Sequence, residues 1–274
     1  MLHYKQLPYT TVWLHGHQVR KALMAERFPP TWYYKGKGVY TIPAILDPPA
    51  HIGAEPSRIA DSRLIAEYLE KAYPDTNRVL PTLPDQLLRH DAIIQQFETH
   101  VLPSMIRVIL PSQKKLTDDL DAKLSELRHR PLYFGGKPYA EAFTDPEERK
   151  QIWDTMKHGM EILSSMIDSV ALEYSGGEIL SGSNNRGVYI FGREPTFADM
   201  VLLSHFCWAR DVPIDRDPGL SSVWEAIRTW NGGRWERMLL AFERDHGCQY
   251  QKGATGISVP QEDNSSLNQA QARL

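Results

Sequence analysis

Residues 40–73 read YTIPAILDPPAHIGAEPSRIADSRLIAEYLEKAY, and the order of signals in this stretch decides the fold class. Tyr40-Thr-Ile-Pro-Ala-Ile-Leu46 is an apolar run that predicts a buried strand, yet it holds Pro43, which a central strand excludes. A proline is tolerated there if its peptide is cis and the strand turns its edge away from other strands. The backbone of Ile42 is then open to pair with an extended peptide. The plainer reading is a strand-end proline with no function. Pro48, Pro49, Gly53 and Pro56 mark a loop, followed by a short segment over Ser57–Ala60. From Asp61 the pattern becomes helical. Leu64, Ile65, Tyr68, Leu69 and Ala72 form one apolar stripe, with Arg63, Glu67, Glu70 and Lys71 facing out. The tip of such a helix offers unpaired N–H groups and partial positive charge. Ser62 adds a hydroxyl donor there, so a carboxylate fits, and Asp61 accepts an ammonium. The pair suits one amino-acid zwitterion; the plainer reading is that Asp61 caps the helix.

On the N-terminal side, Tyr9–Leu14 is rich in β-branched and aromatic residues and predicts a strand. His17–Arg27 predicts a helix stopped by Pro29-Pro30. On the C-terminal side, residues 73–81 form a linker. Beyond it the spacing predicts helices over 84–110, 145–174, 196–210, 219–231 and 233–245. Thr196 and Asp199 form a capping box at the start of the third of these, a folding feature. Mixed elements followed by helices alone predict two domains, 1–77 and 83–250, with a polar, disordered tail over 251–274.

The chain has 274 residues, a net charge of −3 and 42% hydrophobic residues, so it buries a real core and carries no basic field for nucleic acid or an anionic membrane. Met1–Leu14 lacks the apolar core of a signal peptide. The most apolar helical stretch, 198–209, is about half the length of a membrane span. Cys207 and Cys248 build no disulfide framework or metal spacing, so a soluble protein of a reducing, cytoplasmic compartment is expected. His15-Gly-His17 has no third metal ligand near it in sequence, and no metal is expected. Asp118-Asp119-Leu-Asp121 lacks the glycine and terminal glutamate of a calcium loop and predicts a helix start. Asn264-Ser-Ser266 is a glycosylation sequon that a chain without secretion does not use. No GxSxG, P-loop or dinucleotide fingerprint is present.

Strand-Ile-Pro-strand, then Asp-Ser opening a helix, then a helical domain with a Thr-x-x-Asp box, resembles the glutathione transferase superfamily. The likeness is strongest over residues 40–75 and closest to fungal etherase-like and Fu-type members. It implies a thioredoxin-like domain followed by an all-helical domain, with glutathione as co-substrate. It implies that Pro43 is the cis-proline and that Ile42 pairs through its backbone with the cysteinyl part of glutathione. Asp61 and Ser62 are implied to hold the γ-glutamyl group. Lys35 and Lys37 are candidates for the glycyl carboxylate, with solvated loop lysines as the plainer reading. A small-molecule electrophile as second substrate and a homodimer are implied as well.

In one respect the chain departs from the superfamily. Met1–Tyr9 looks like the last turn of the first helix, so the first strand and the Ser, Cys or Tyr that activates the thiol are expected upstream of Met1. The catalytic residue is therefore unknown. Lost sheet partners cost about 1–3 kcal/mol for each buried group, against about 5–15 kcal/mol of domain stability. Two readings follow. The natural protein starts further upstream and conjugates glutathione to an electrophile, in detoxification or a fungal secondary-metabolite pathway. Alternatively it is a non-catalytic binding member that has lost the activating residue. Phe97, Met105, Ile106, Trp153, Met156 and Trp208 are residues to line an electrophile pocket between the domains, although such residues are more often core.

Overall fold

The computed structural model describes residues 1–49, 51–174, 187–217 and 219–247. The tail expected over 251–274, Cys248 and the sequon lie outside these residues. A single helical turn at the start carries Lys5, whose ammonium is buried against Glu70 Oε1 at 2.9 Å and the Asn77 carbonyl at 2.8 Å. After a 3-10 turn at Gly16–Gln18 comes α1 (Val19–Ala25). Two antiparallel pairs follow: β1 (Trp32–Tyr34) with β2 (Lys37–Val39), and β3 (Ala44–Asp47) with β4 (Ser57–Ala60). The first pair is joined by Lys35-Gly36 at φ 47° and 75°, a two-residue turn with the twist that hairpins favour. Val19, Leu23 and Phe28 of the α1 region pack on Ala60, with Leu14, Tyr40 and Ala44 around them.

The strand expected over Tyr9–Leu14 is absent; this segment is extended but joins no ladder among the described residues. Tyr9, Val12 and Trp13 are half or more exposed. Propensity alone does not make a strand without a backbone partner, so this segment stays outside the sheets.

Next comes α2 (Ser62–Ala72), which buries Ile65, Ala66 and Leu69 and leaves Leu64 exposed. Its inward face is rotated from the expected stripe toward Ala66, which packs with Tyr4, Val79 and Phe197. Glu70, expected to face solvent, is buried by Lys5, and Arg63 reaches across to Asp91.

The helical half contains α3 (Pro84–His100), α4 (Leu102–Gln113), α5 (Asp119–Tyr133), α6 (Pro146–Tyr174), α7 (Phe197–Asp211), α8 (Val223–Ile227) and α9 (Trp230–His246). The single helix expected over 84–110 is two, broken at Val101, because Pro103 lacks an N–H and its ring opposes the preceding turn. The helix expected over 219–231 shrinks to the short α8, and α9 is kinked at Asn231–Gly233 by left-handed backbone. The core is built by α3, α4, α6, α7 and α9 around Phe97, Met105, Met156, Met160, Phe206 and Trp235. Gly159 of α6 permits a close crossing, since a Cβ there would lie 2.9 Å from the His100 carbonyl oxygen. Tyr4, Ala66, Val79 and Phe197 form a smaller core where the two halves meet. Among the described residues no helix is long and apolar enough to cross a membrane.

Candidate functional site

The site is built where β3 begins and α2 starts. The Ile42–Pro43 peptide is cis. Ile42 is 60% exposed, and neither its N–H nor its carbonyl hydrogen-bonds within the described residues. The Pro43 carbonyl does accept one bond, from the Asp61 N–H at 3.3 Å. That contact sets the helix tip beside the open backbone of Ile42, although the loop 48–56 separates them in sequence.

Asp61 sits at φ 91°, ψ 126°, a sparsely populated conformation for a residue with a Cβ. It is held there from two sides, by the Pro43 carbonyl and by its own side chain. Oδ1 accepts from Arg63 N at 2.8 Å and Leu64 N at 3.2 Å, so Asp61 is a helix cap. Oδ2 takes no hydrogen bond among the described residues. The cap satisfies the second and third N–H groups of α2 and leaves the first. Ser62 N–H and Ser62 Oγ both make no hydrogen bond among the described residues, and they lie side by side at the positive end of the helix. Strained backbone with unsatisfied donors beside it is typical of ligand sites.

Glu98 of α3, which sequence reasoning did not single out, feels the charge of this tip although it is exposed. Partial desolvation, and then the negative charge of Asp61, raise the Glu98 carboxyl above its ordinary range.

The position of α2 is fixed to the helical half by a chain of charged groups. Arg63 bonds Asp91 Oδ1 at 2.5 Å and Glu67 at 2.9 Å. Asp91 Oδ1 lies 2.8 Å from Nδ1 of the fully buried His90, whose Nε2 accepts from Ala198 N at 3.0 Å. Because an N–H donates to Nε2, the proton of His90 is on Nδ1. Burial lowers the pKa of this histidine, which keeps it neutral. Next to Ala198, Asp199 closes the capping box with Thr196 and also accepts from Ile190 N at 2.9 Å. On the sheet side, Tyr68 and Tyr73 hydroxyls of the α2 region donate to Asp47 at 2.6 and 2.7 Å.

The lysines proposed from sequence sit on the β1–β2 hairpin. Lys35 places its ammonium 5.4 Å from the centre of the Tyr34 ring, and Lys37 opens β2; both are exposed. Of the residues expected to line an electrophile pocket, Phe97, Met105 and Met156 are core. Trp153 donates to Asp217 at 2.9 Å. Ile106 and Trp208 do line a groove of about 380 Å³, together with Leu102, Leu110, His129, Ser204 and His205. It lies within the helical half, between α4, α5 and α7. The two histidines donate Nδ1–H to the carbonyls of Ser125 and Val201, so each Nε2 is an acceptor.

Two family models match this chain: Glutathione S-transferase, N-terminal domain, over residues 1–72, and Glutathione S-transferase, C-terminal domain, over residues 90–244. The chain belongs to the glutathione S-transferase family. Among its relatives is the Glutathione S-transferase-like protein ustS of Aspergillus flavus, 27% identical over 248 residues that cover 86% of this chain and 83% of the relative. Solved structures with a similar fold include the glutathione S-transferase CsGST63524 of Ceriporiopsis subvermispora, determined in complex with glutathione. It has a TM-score of 0.69 and 24% identity, covering 89% of this chain and 86% of that one. Glutathione transferase GSTFuA3 from Phanerochaete chrysosporium has a TM-score of 0.68 at 24% identity, covering 88% and 85%. At these identities the likeness establishes a shared fold, and the chemistry rests on the site.

Proposed function

We propose that this member of the family binds glutathione in extended form across the Ile42–Pro43 edge and the tip of α2, and joins it through its sulfur to a small electrophile. The observation that carries the reading is the bond from Asp61 N to the Pro43 carbonyl, which brings an open backbone edge and unsatisfied helix-tip donors together. Ile42 N–H and carbonyl pair with the cysteinyl residue. Ser62 N–H and Oγ take the γ-glutamyl carboxylate, and Asp61 Oδ2 takes its ammonium. Lys35 or Lys37 meets the glycyl carboxylate. In the transfer step the thiolate sulfur forms a C–S bond with the electrophilic carbon, and the leaving group departs with its electron pair. Thiol activation is assigned to no residue of this chain.

Family membership supports the transfer chemistry, and the C. subvermispora structure, solved with glutathione, supports the ligand. A homodimer, a cytoplasmic location and a role in detoxification or secondary metabolism extend the proposal on family grounds. The test separates binding from turnover. Calorimetry with glutathione measures the first, and release of halide from an electron-poor aryl halide in the presence of glutathione measures the second. Saturable binding together with glutathione-dependent halide release is expected. Binding without turnover across several electrophiles would leave the non-catalytic reading, and no binding would remove both.

A further inference from the structure

His15 and His17 show only two ligands in sequence, but the fold supplies two more from a helix a hundred residues away. The turn at Gly16–Gln18 meets the start of α5. Asp121 receives Gly16 N on Oδ2 at 2.9 Å and His17 N on Oδ1 at 2.7 Å. His17 Nδ1 lies 2.9 Å from Asp121 Oδ1, and His15 Nδ1 lies 2.7 Å from Asp118 Oδ2 and 3.6 Å from Asp121 Oδ2. One ligand atom from each of the four residues lies within 4.8 Å of all the others. The two imidazoles stack with centroids 5.4 Å apart.

We propose that His15, His17, Asp118 and Asp121 bind a divalent transition-metal ion, with Zn²⁺ as the probe. The donor set is two imidazole nitrogens and two carboxylate oxygens, which suits a borderline cation. Zinc bonds of about 2.0–2.2 Å in a tetrahedron place ligand atoms roughly 3.4 Å apart. Three of the N···O contacts, at 2.7, 2.9 and 3.6 Å, fall on either side of that value but engage both oxygens of Asp121, and one ligand atom from each residue lies within 4.8 Å of the others, so side-chain rotations must draw the four atoms together to admit the ion.

The carboxylates are already oriented. Asp118 Oδ1 caps α5 by accepting from Asp121 N at 2.8 Å, which leaves Oδ2 toward His15, and two backbone N–H groups fix Asp121. Such outer bonds orient metal ligands elsewhere. Charge favours occupancy, because two carboxylates face two imidazoles and a dication neutralises them. The ion would join the N-terminal half to α5 and is independent of the glutathione site.

The test uses the full chain, freed of any histidine tag, stripped with chelator and free of glutathione. Zn²⁺ is titrated against a chromophoric competitor, and melting is followed with and without zinc. One ion per chain, saturating below about 100 µM, is expected, with a zinc-dependent rise in Tm of a few degrees. His15→Gln and Asp118→Asn should each weaken zinc affinity about tenfold or more. Both variants keep the fold, since His15 is exposed and asparagine caps helices as well as aspartate. Absent or unsaturable binding, or a stoichiometry and affinity unchanged in both variants, would overturn the site. The four residues would then be an ion-pair latch alone.

Discussion

Asp61→Asn isolates the charge proposed to hold the γ-glutamyl ammonium. The two oxygens of Asp61 have separate duties: Oδ1 caps Arg63 N and Leu64 N, and Oδ2 is open. Asparagine keeps the capping oxygen, so stability should change by about 0.5 kcal/mol or less. The ligand loses a hydrogen bond to a charged group, worth about 1.5–3 kcal/mol. At about 1.4 kcal/mol per tenfold, glutathione should bind roughly 10- to 150-fold more weakly. Asp61→Ala removes the cap as well and should lose about 1 kcal/mol of stability besides. Ser62→Ala removes one donor and leaves the Ser62 N–H, so a loss at the lower end, about tenfold, is expected.

Calorimetry gives the affinities and urea denaturation gives the stabilities. An analogue with glutaryl in place of γ-glutamyl closes the cycle, since it lacks the ammonium. It should bind wild type and Asp61→Asn equally. If Asp61→Asn binds glutathione within twofold of wild type while folding normally, Asp61 does not hold the ammonium and the placement of the ligand is wrong.

Three further outcomes test the frame that holds the site. Lys5→Met leaves the Glu70 carboxylate with Arg78 at 3.3 Å as its remaining cation among the described residues, and should lower stability by about 3 kcal/mol by denaturant midpoint; a loss under about 1 kcal/mol would show the pair to be dispensable. Gly159→Ala puts a methyl 2.9 Å from both the His100 carbonyl oxygen and Val101 Cγ2, so a loss of about 1–3 kcal/mol is expected, and an unchanged Tm would refute the close crossing. Burial pushes Asp199 up to about 6 from 3.8, so the folded state binds a proton that the unfolded state has released. Its contribution is fully present below about pH 3.8 and is lost as pH rises through 6, by about 3 kcal/mol. His90, lowered by burial, acts in the opposite sense, weakening the fold as pH falls below its unfolded value. The stability of wild type minus that of Asp199→Asn should therefore fall between pH 4 and 7 by about 3 kcal/mol; a constant difference would sink the assignment.

What was legible in the sequence was local. A proline inside an apolar run, an aspartate before a helical stripe and a Thr-x-x-Asp box each declare their own geometry within a few residues. Pro43, Asp61 and Asp199 accordingly stand in the conformations their neighbours dictate. What failed depended on partners distant in the chain. Tyr9–Leu14 has strand propensity but no ladder among the described residues, and Glu70 looks solvated until Lys5 arrives from the N-terminal turn. Asp118 and Asp121 lie beside two histidines because the fold brings the start of α5 to the N-terminal turn, a placement no local pattern encodes. The break at Val101 was readable from Pro103, and the helical periodicity on both sides masked it.

The features that looked purely structural turn out to be continuous with the site. Ser62 is followed directly by Arg63, whose guanidinium holds Asp91. Asp91 fixes the tautomer of His90, and His90 receives the N–H of Ala198, the second residue of α7. Asp199, the next residue, closes the capping box that lets α7 start where it does. Thus the tip of α2 is aimed by a chain of bonds ending at the start of α7. A helix tip binds an anion well only if it is held still, because an ordering cost at binding subtracts directly from affinity. The capping box and the helix-tip donors are therefore two ends of one device. Loosening the far end, at His90 or Asp199, is expected to weaken glutathione binding without touching the ligand.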